Sequence, residues 1–358
     1  MNNRAKENLE ELYSSMLFGN CQYVFTGEKI KDPFYAKESG LSIVLKNIFT
    51  DELFFTRYVN KGSYELEHYK KKVLKKPKYE NVLWPSDIVE IPDEIDNLCD
   101  INASNIYLDH EVNENSNKRL LLLFPLMEYK KLRTFQECLK SISTLNWKNP
   151  EVMEFATKII KGINDLNETG YLFFDFNFNR ILFDESNNIY FDFTNLFYDI
   201  YETISYNDAK NSELKLGDYP IEFAEPCLAQ EKITIPDYNT QNYMLTALLF
   251  YLFVGRHPYD GRLLYDKIDS NLFFHYDKFL TGLRLPIFIF DEEDKSNCLS
   301  ITDLEEEHTL IWTQLPDTIK TVFGNTLKRS NAERDNNVFN PTPKTWMRLI
   351  ELNMLNAK

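Results

Sequence analysis

The chain has 358 residues, of which 43% are apolar and 27% charged, enough for two domains with cores of their own. Its formal net charge of −15 argues against nucleic acid and anionic membranes as main partners, because phosphate binding needs a basic face. A basic run, Lys70 to Lys72 with Lys75, Lys76 and Lys78, reads as a solvated helix face.

The cysteines Cys21, Cys99, Cys138, Cys227 and Cys298 share no C-x-x-C spacing, and the histidines form no metal-ligand pattern. The expectation is a reduced, cytoplasmic protein. Met1 to Glu11 is polar, so no signal peptide is expected. The longest apolar run, Met244 to Val254, is about half a membrane span and reads as a buried helix.

In chain order, residues 4–17 suit a short amphipathic helix with Leu9, Leu12, Tyr13 and Met16 on one side. Residues 41–48 and 53–59 are β-rich runs joined by Phe49-Thr50-Asp51-Glu52, which predicts a hairpin, with Gly40 just before it. A helix follows over 63–76, with Ser63 as N-cap and Glu65 and Glu67 in its first turn. Val82-Leu83-Trp84-Pro85 opens another strand. Residues 91–117 form an acidic, Asn-rich connection with a short strand at 105–108. Leu120 to Met127 reads as a buried strand, and Glu128-Tyr129-Lys130 leaves the core.

Helices are expected over 133–143 and 150–169, the second closed by Gly170. Next comes YLFFDFNFNRILFDESNNIYFDFTNL, Tyr171 to Leu196. Ile181-Leu182-Phe183 and Ile189-Tyr190-Phe191 are two short apolar runs, and Asp184 to Asn188 between them is turn chemistry. Asp175 precedes the first run and Asp192 follows the second. A polar, tyrosine-bearing segment (195–219) leads to IEFAEPCL (221–228). An apolar helix, Tyr238 to Gly255, closes in GRHPYDGR. An acidic stretch (291–307) and two further helices, 315–327 and 341–352, end the chain, the last with Pro at its start.

This order resembles that of the protein kinases. The acid, the hairpin and the Asp-Phe-Thr at 192–194 are similar to the H-R-D-L-x-x-x-N … D-F-G centre, and GRHPYDGR is similar to the same segment of bacterial eukaryotic-like Ser/Thr kinases. The resemblance covers about residues 40–354. It implies an α+β, bilobal kinase-like fold: a small antiparallel β-sheet lobe with one helix, then a mainly α-helical lobe. It implies a lobe boundary near Glu128, with regions 1–128 and 129–358. It also implies ATP, with or without Mg, as a ligand. Gly40 would sit in the phosphate loop, Arg57 at the third-strand lysine position, Glu65 as the acid facing it, and Met127 at the adenine-binding hinge. Asp175 would be the base position and Asp192 the metal-binding acid.

The departures are chemical. The phosphate loop keeps one glycine. Phe173 and Phe174 replace the His and Arg of the motif, and Arg180 stands where an Asn would ligate the second metal, with Asn179 one residue away. A guanidinium repels a cation and cannot ligate one. Asn177 occupies the place of a lysine beside the γ-phosphate. Cys227 and Asn340 are both neutral where a Glu–Arg pair would be, and Gln241 replaces the Asp that would hold the catalytic loop. Two readings follow. One is a catalytically impaired kinase-like protein, a pseudokinase that binds or regulates a protein partner. The other is a divergent phosphotransferase using Asp175 and Asp192, with Arg57 and Arg180 on phosphates. For Arg180 itself, phosphate contact competes with a salt bridge to Asp175 or Asp192 that plugs the metal site.

Overall fold

A computed structural model describes residues 17–18, 22–31, 41–60, 73–91, 119–126, 131–193, 197–199, 221–229, 236–261, 282–299, 303–328 and 340–356. Gly40, Glu65, Met127, the helix expected over 4–17 except for Leu17, which is in a strand, most of the one over 63–76, the strand over 105–108, and residues 194–196 and 200–219 lie outside these.

The strands are β1 Leu17–Phe18, β2 Tyr23–Lys31, β3 Leu41–Asn47, β4 Leu53–Asn60, β5 Val82–Leu83, β6 Asp87–Ile91, β7 Arg119–Pro125 and β8 Arg133–Thr134. They continue with β9 Tyr171–Phe173, β10 Ile181–Phe183, β11 Ile189–Asp192 and β12 Phe197–Asp199. The helices are α1 Phe135–Lys140, α2 Pro150–Glu168, α3 Pro226–Ala229, α4 Tyr238–Val254, α5 Asp303–Gln314, α6 Asp317–Leu327 and α7 Pro343–Asn356. The protein is α+β, with antiparallel sheet in its N-terminal region and helices in its C-terminal region. Among the described residues no helix is long and apolar enough to cross a membrane.

The chain divides into two compact units. The first holds Met1–Phe135, Asn179–Ser186 and Tyr190–Phe193; the second holds Gln136–Phe178, Asn187–Ile189 and Thr194–Lys358. The first unit carries a six-stranded sheet in the order β1-β2-β3-β4-β7-β6. The expected hairpin is β3–β4, with Val44 opposite Phe55. Side chains alternate along a strand. Tyr23, Phe25, Ile43, Leu45, Phe54, Val89, Leu121 and Leu123 make one buried cluster. The alternate positions of β4, Phe55 and Arg57, are also buried, so this strand is covered on both faces.

β2 was not legible in the sequence as a strand. Its middle, Thr26-Gly27-Glu28, is polar; the register shifts between Phe25 and Lys29, and Gly27 has φ 82. A bulge of this kind breaks the alternation that marks a strand. The helix expected over 133–143 is shorter. Arg133–Thr134 is a strand, because both residues pair with β10.

In the second unit α2 packs against α4 and α7, and α4 packs against α5 and α6. α4 is buried nearly all round, which is why its sequence is apolar without a polar face. Asp237 caps its N-terminus in a capping box with Thr240, and Gly255, φ 77, closes it in the left-handed conformation. The acidic stretch after Asp291 is partly structural. Asn297 is buried and donates through Nδ2 to the carbonyls of Tyr259 (3.0 Å) and Ile287 (2.8 Å). A Cβ on Gly261 would lie 1.9 Å from the Asn297 carbonyl oxygen, so the final glycine of H-P-Y-D-G leaves room for this clasp. Asp303 to Glu307 begins α5.

Candidate functional site

The stretch from Tyr171 to Phe193 contributes to both units, and each part is held differently. In the second unit α2 ends at Thr169, and Gly170, with φ 88, turns the chain into β9. β9 pairs antiparallel with β12. The Phe173 N–H donates to Gln241 Oε1 at 2.8 Å, and Gln241 Nε2 donates to Asn167 Oδ1 at 3.1 Å. Gln241, fully buried in the first turn of α4, thus ties the backbone of β9 to the end of α2.

Beyond β9 the chain is packed by rings. Phe173 lies 4.9 Å from Phe197 and 5.7 Å from Phe176, and Phe178 lies 5.4 Å from both Phe223 and Tyr251. Phe173, Phe174 and Phe176 are fully buried. Asp175 is buried among these positions at 8% exposure, and Asn177 is half-buried. Where the kinase motif would carry His and Arg, this loop is therefore set in an aromatic bed, with one amide holding its backbone.

In the first unit β10 and β11 form the expected hairpin. The Ser186 N–H donates to Asp184 Oδ1 at 2.9 Å, and Asn187 takes φ 56 in the turn. The Asp192 N–H donates to the Arg180 carbonyl at 2.9 Å, so hairpin register brings these two residues opposite each other. β11 also runs parallel to β5, with Asp192 beside Leu83. Phe193, next in sequence, packs edge-on to Trp84 at 4.7 Å.

Arg57 sits two residues after Phe55 on β4, and so on the same face. Its Cζ lies 4.5 Å from the Phe124 ring centroid and 5.4 Å from that of Phe55. A guanidinium buried among rings requires an acid. That acid is Asp192: Arg57 donates to Oδ1 at 2.7 Å, while Arg180 donates to Oδ2 at 2.6 Å. Asp192 has 0% side-chain exposure, Arg57 5% and Arg180 20%. Each carboxylate oxygen thus carries a short charge-assisted hydrogen bond, and the three side chains together carry one net positive charge. A divalent cation on either oxygen would share it with a guanidinium, which repels it.

Of the sequence-derived site residues, Arg57, Arg180 and Asp192 come together. Asp175 and Asn177 belong to the second unit, and Asn179 opens the hairpin segment of the first. The acid seen against Arg57 is Asp192, while Glu65 lies outside the described residues. Among the described residues, no group of three or more His, Cys, Asp or Glu could hold a metal ion. The role of Gln241 was legible only as a neutral replacement. Its reach to both Asn167 and Phe173 had no signal in one sequence. No protein-family model matches the chain, and no curated protein matches it.

Proposed function

We propose that this chain is a catalytically impaired protein kinase-like protein that works as a binding or regulatory module on a protein partner. On this reading the sheet-bearing unit is the small lobe and the helical unit the large one. ATP is the ligand class to test. Several features support it. A basic residue on the second strand of the β3–β4 hairpin reaches the acid that ends the β10–β11 hairpin. A buried polar side chain in the first turn of an apolar helix holds the backbone just before Asp175. An H-P-Y-D-G segment follows that helix.

One observation carries the impaired reading: both oxygens of Asp192 are taken by guanidiniums, at 2.7 and 2.6 Å. Metal-assisted phosphoryl transfer needs that carboxylate to bridge a cation to the phosphates. Opening it for a cation would strand positive charge where a carboxylate now balances it, at a cost of several kcal/mol. This weighs against the divergent phosphotransferase using Asp175 and Asp192.

The test is a thermal shift of the full chain with ATP in magnesium and with ATP in EDTA, alongside a phosphate-transfer assay. A ligand that binds only the folded state at about 100 times its Kd adds roughly 2.7 kcal/mol. Magnesium should add nothing to whatever shift ATP produces, and no transfer should be seen. A magnesium-dependent shift accompanied by transfer would overturn the proposal.

A further inference from the structure

Resting on the proposed function, we infer that Phe55 fills from within the place that a nucleotide base would take on the sheet-bearing unit. Its ring closes the module to nucleotides, and shortening it opens a site for a planar base.

Strand register carries this. Opposite residues of antiparallel strands share a face, and so do residues two apart along one strand. Val44 lies opposite Phe55, and Phe55 lies opposite Phe124, so the three form one row across β3, β4 and β7. Arg57 belongs to the same face, with its Cζ 4.5 Å from the Phe124 ring centroid. On the proposed function Arg57 stands where a strand lysine would meet nucleotide phosphates. The base of that nucleotide would lie on the row beside it, and Phe55 is roughly 6.5 Å along the strand. That row is already covered. Val44, Phe55 and Phe124 are each 0% exposed. The Phe55 and Phe124 rings are stacked, with centroids 5.0 Å apart and planes 19° from parallel. Phe193 packs on Phe124 at 6.3 Å and on Trp84 at 4.7 Å. All of these residues belong to the first unit.

The neighbouring phenylalanines of β4 have separate tasks. Phe54 points to the other face, into the cluster with Tyr23, Leu45 and Leu123. Phe55 fills the face that carries Arg57. A stacked flat ring is also what an adenine would look for, so the Phe55–Phe124 pair and a bound base compete for one surface. A ring tethered to the strand competes at an effective concentration that a free nucleotide does not reach.

The experiment uses the full chain and adenosine, a base and sugar without phosphates. Calorimetry and thermal shift compare wild type, Phe55→Ala and Phe54→Ala, the last of which removes a buried ring from the opposite face. Wild type and Phe54→Ala should show no binding at millimolar adenosine. Phe55→Ala should bind adenosine about tenfold or more tightly than either, and adenosine should restore part of its lost Tm. Phe55→Leu is milder and carries the same comparison, with a smaller gain, if Phe55→Ala does not fold. Three results would overturn the inference. If wild type binds adenosine, the face is open; the impaired-module reading stands, because base binding alone transfers no phosphate. If a folded Phe55 variant binds no better than Phe54→Ala, the ring is not what excludes the base, and the impaired reading again stands. If wild type binds ATP only with magnesium and transfers its phosphate, both fall.

Discussion

Asp175 and Asp192 stand seventeen positions apart in sequence, both nearly or fully buried, and they are held by opposite means. The segment around Asp175 is set in rings: Phe173 on Phe176 and Phe197, Phe178 on Phe223 and Tyr251, with Gln241 holding the backbone. Asp192 is set between charges, with a guanidinium on each oxygen. Aromatic packing is non-directional and fixes the loop by shape. The ionic clamp is directional and fixes its acid by charge.

The largest expected effect tests the ionic side. Asp192→Ala leaves two guanidiniums without their shared acid, one of them buried, and should cost about 3–5 kcal/mol in urea unfolding. A loss under about 1 kcal/mol would mean that the clamp is decorative. Phe173→Ala tests the aromatic side. It removes a fully buried ring touching two others and should cost about 3–5 kcal/mol, with little dependence on salt. A change in Phe173→Ala stability with salt comparable to that of the clamp variants would erase the contrast.

Gln241→Leu keeps the volume and removes the acceptor. The Phe173 N–H is then buried without Oε1, at about 1–3 kcal/mol, measurable by denaturation and by faster hydrogen exchange at Phe173. Unchanged exchange there would show that ring packing alone holds β9.

The smallest effect lies on the surface and calibrates the others. Glu154 is held below its ordinary value of 4.5, first by the hydrogen bond from Lys158, one helical turn on. A depressed folded value means that its contribution is present above the unfolded pKa and lost as pH falls through the folded one. Glu154 is 47% exposed, so Glu154→Gln should cost only about 0.3–0.5 kcal/mol near neutral pH, and the difference should vanish in acid. A pH-independent difference would assign the effect to packing instead.

Much of the architecture was legible because it is local. The β3–β4 hairpin, α2 with Gly170 behind it, the turn at Asn187, the all-round apolar α4 and the Pro-initiated α7 each carry their signal within a few residues. The elements missed were those whose signal is broken or shared. β2 hides behind its Gly27 bulge, β8 is strand only because β10 pairs with it, and Asn297 looks like solvent-facing polarity until the carbonyls of Tyr259 and Ile287 are in place.

By itself the sequence determined that an Arg lies inside an apolar strand and that two acids flank a hairpin. Alternation and turn chemistry are properties of neighbouring residues. It also placed Arg180 close enough to Asp192 to meet it, since both belong to one hairpin. It left open which acid Arg180 would meet, and it gave no sign that Asp192 would meet Arg57. The tertiary structure sets Asp192 against both arginines, Oδ1 on Arg57 and Oδ2 on Arg180. A buried guanidinium must find its carboxylate across whatever chain separation the packing closes, here 135 residues, and nothing in the local sequence records that distance.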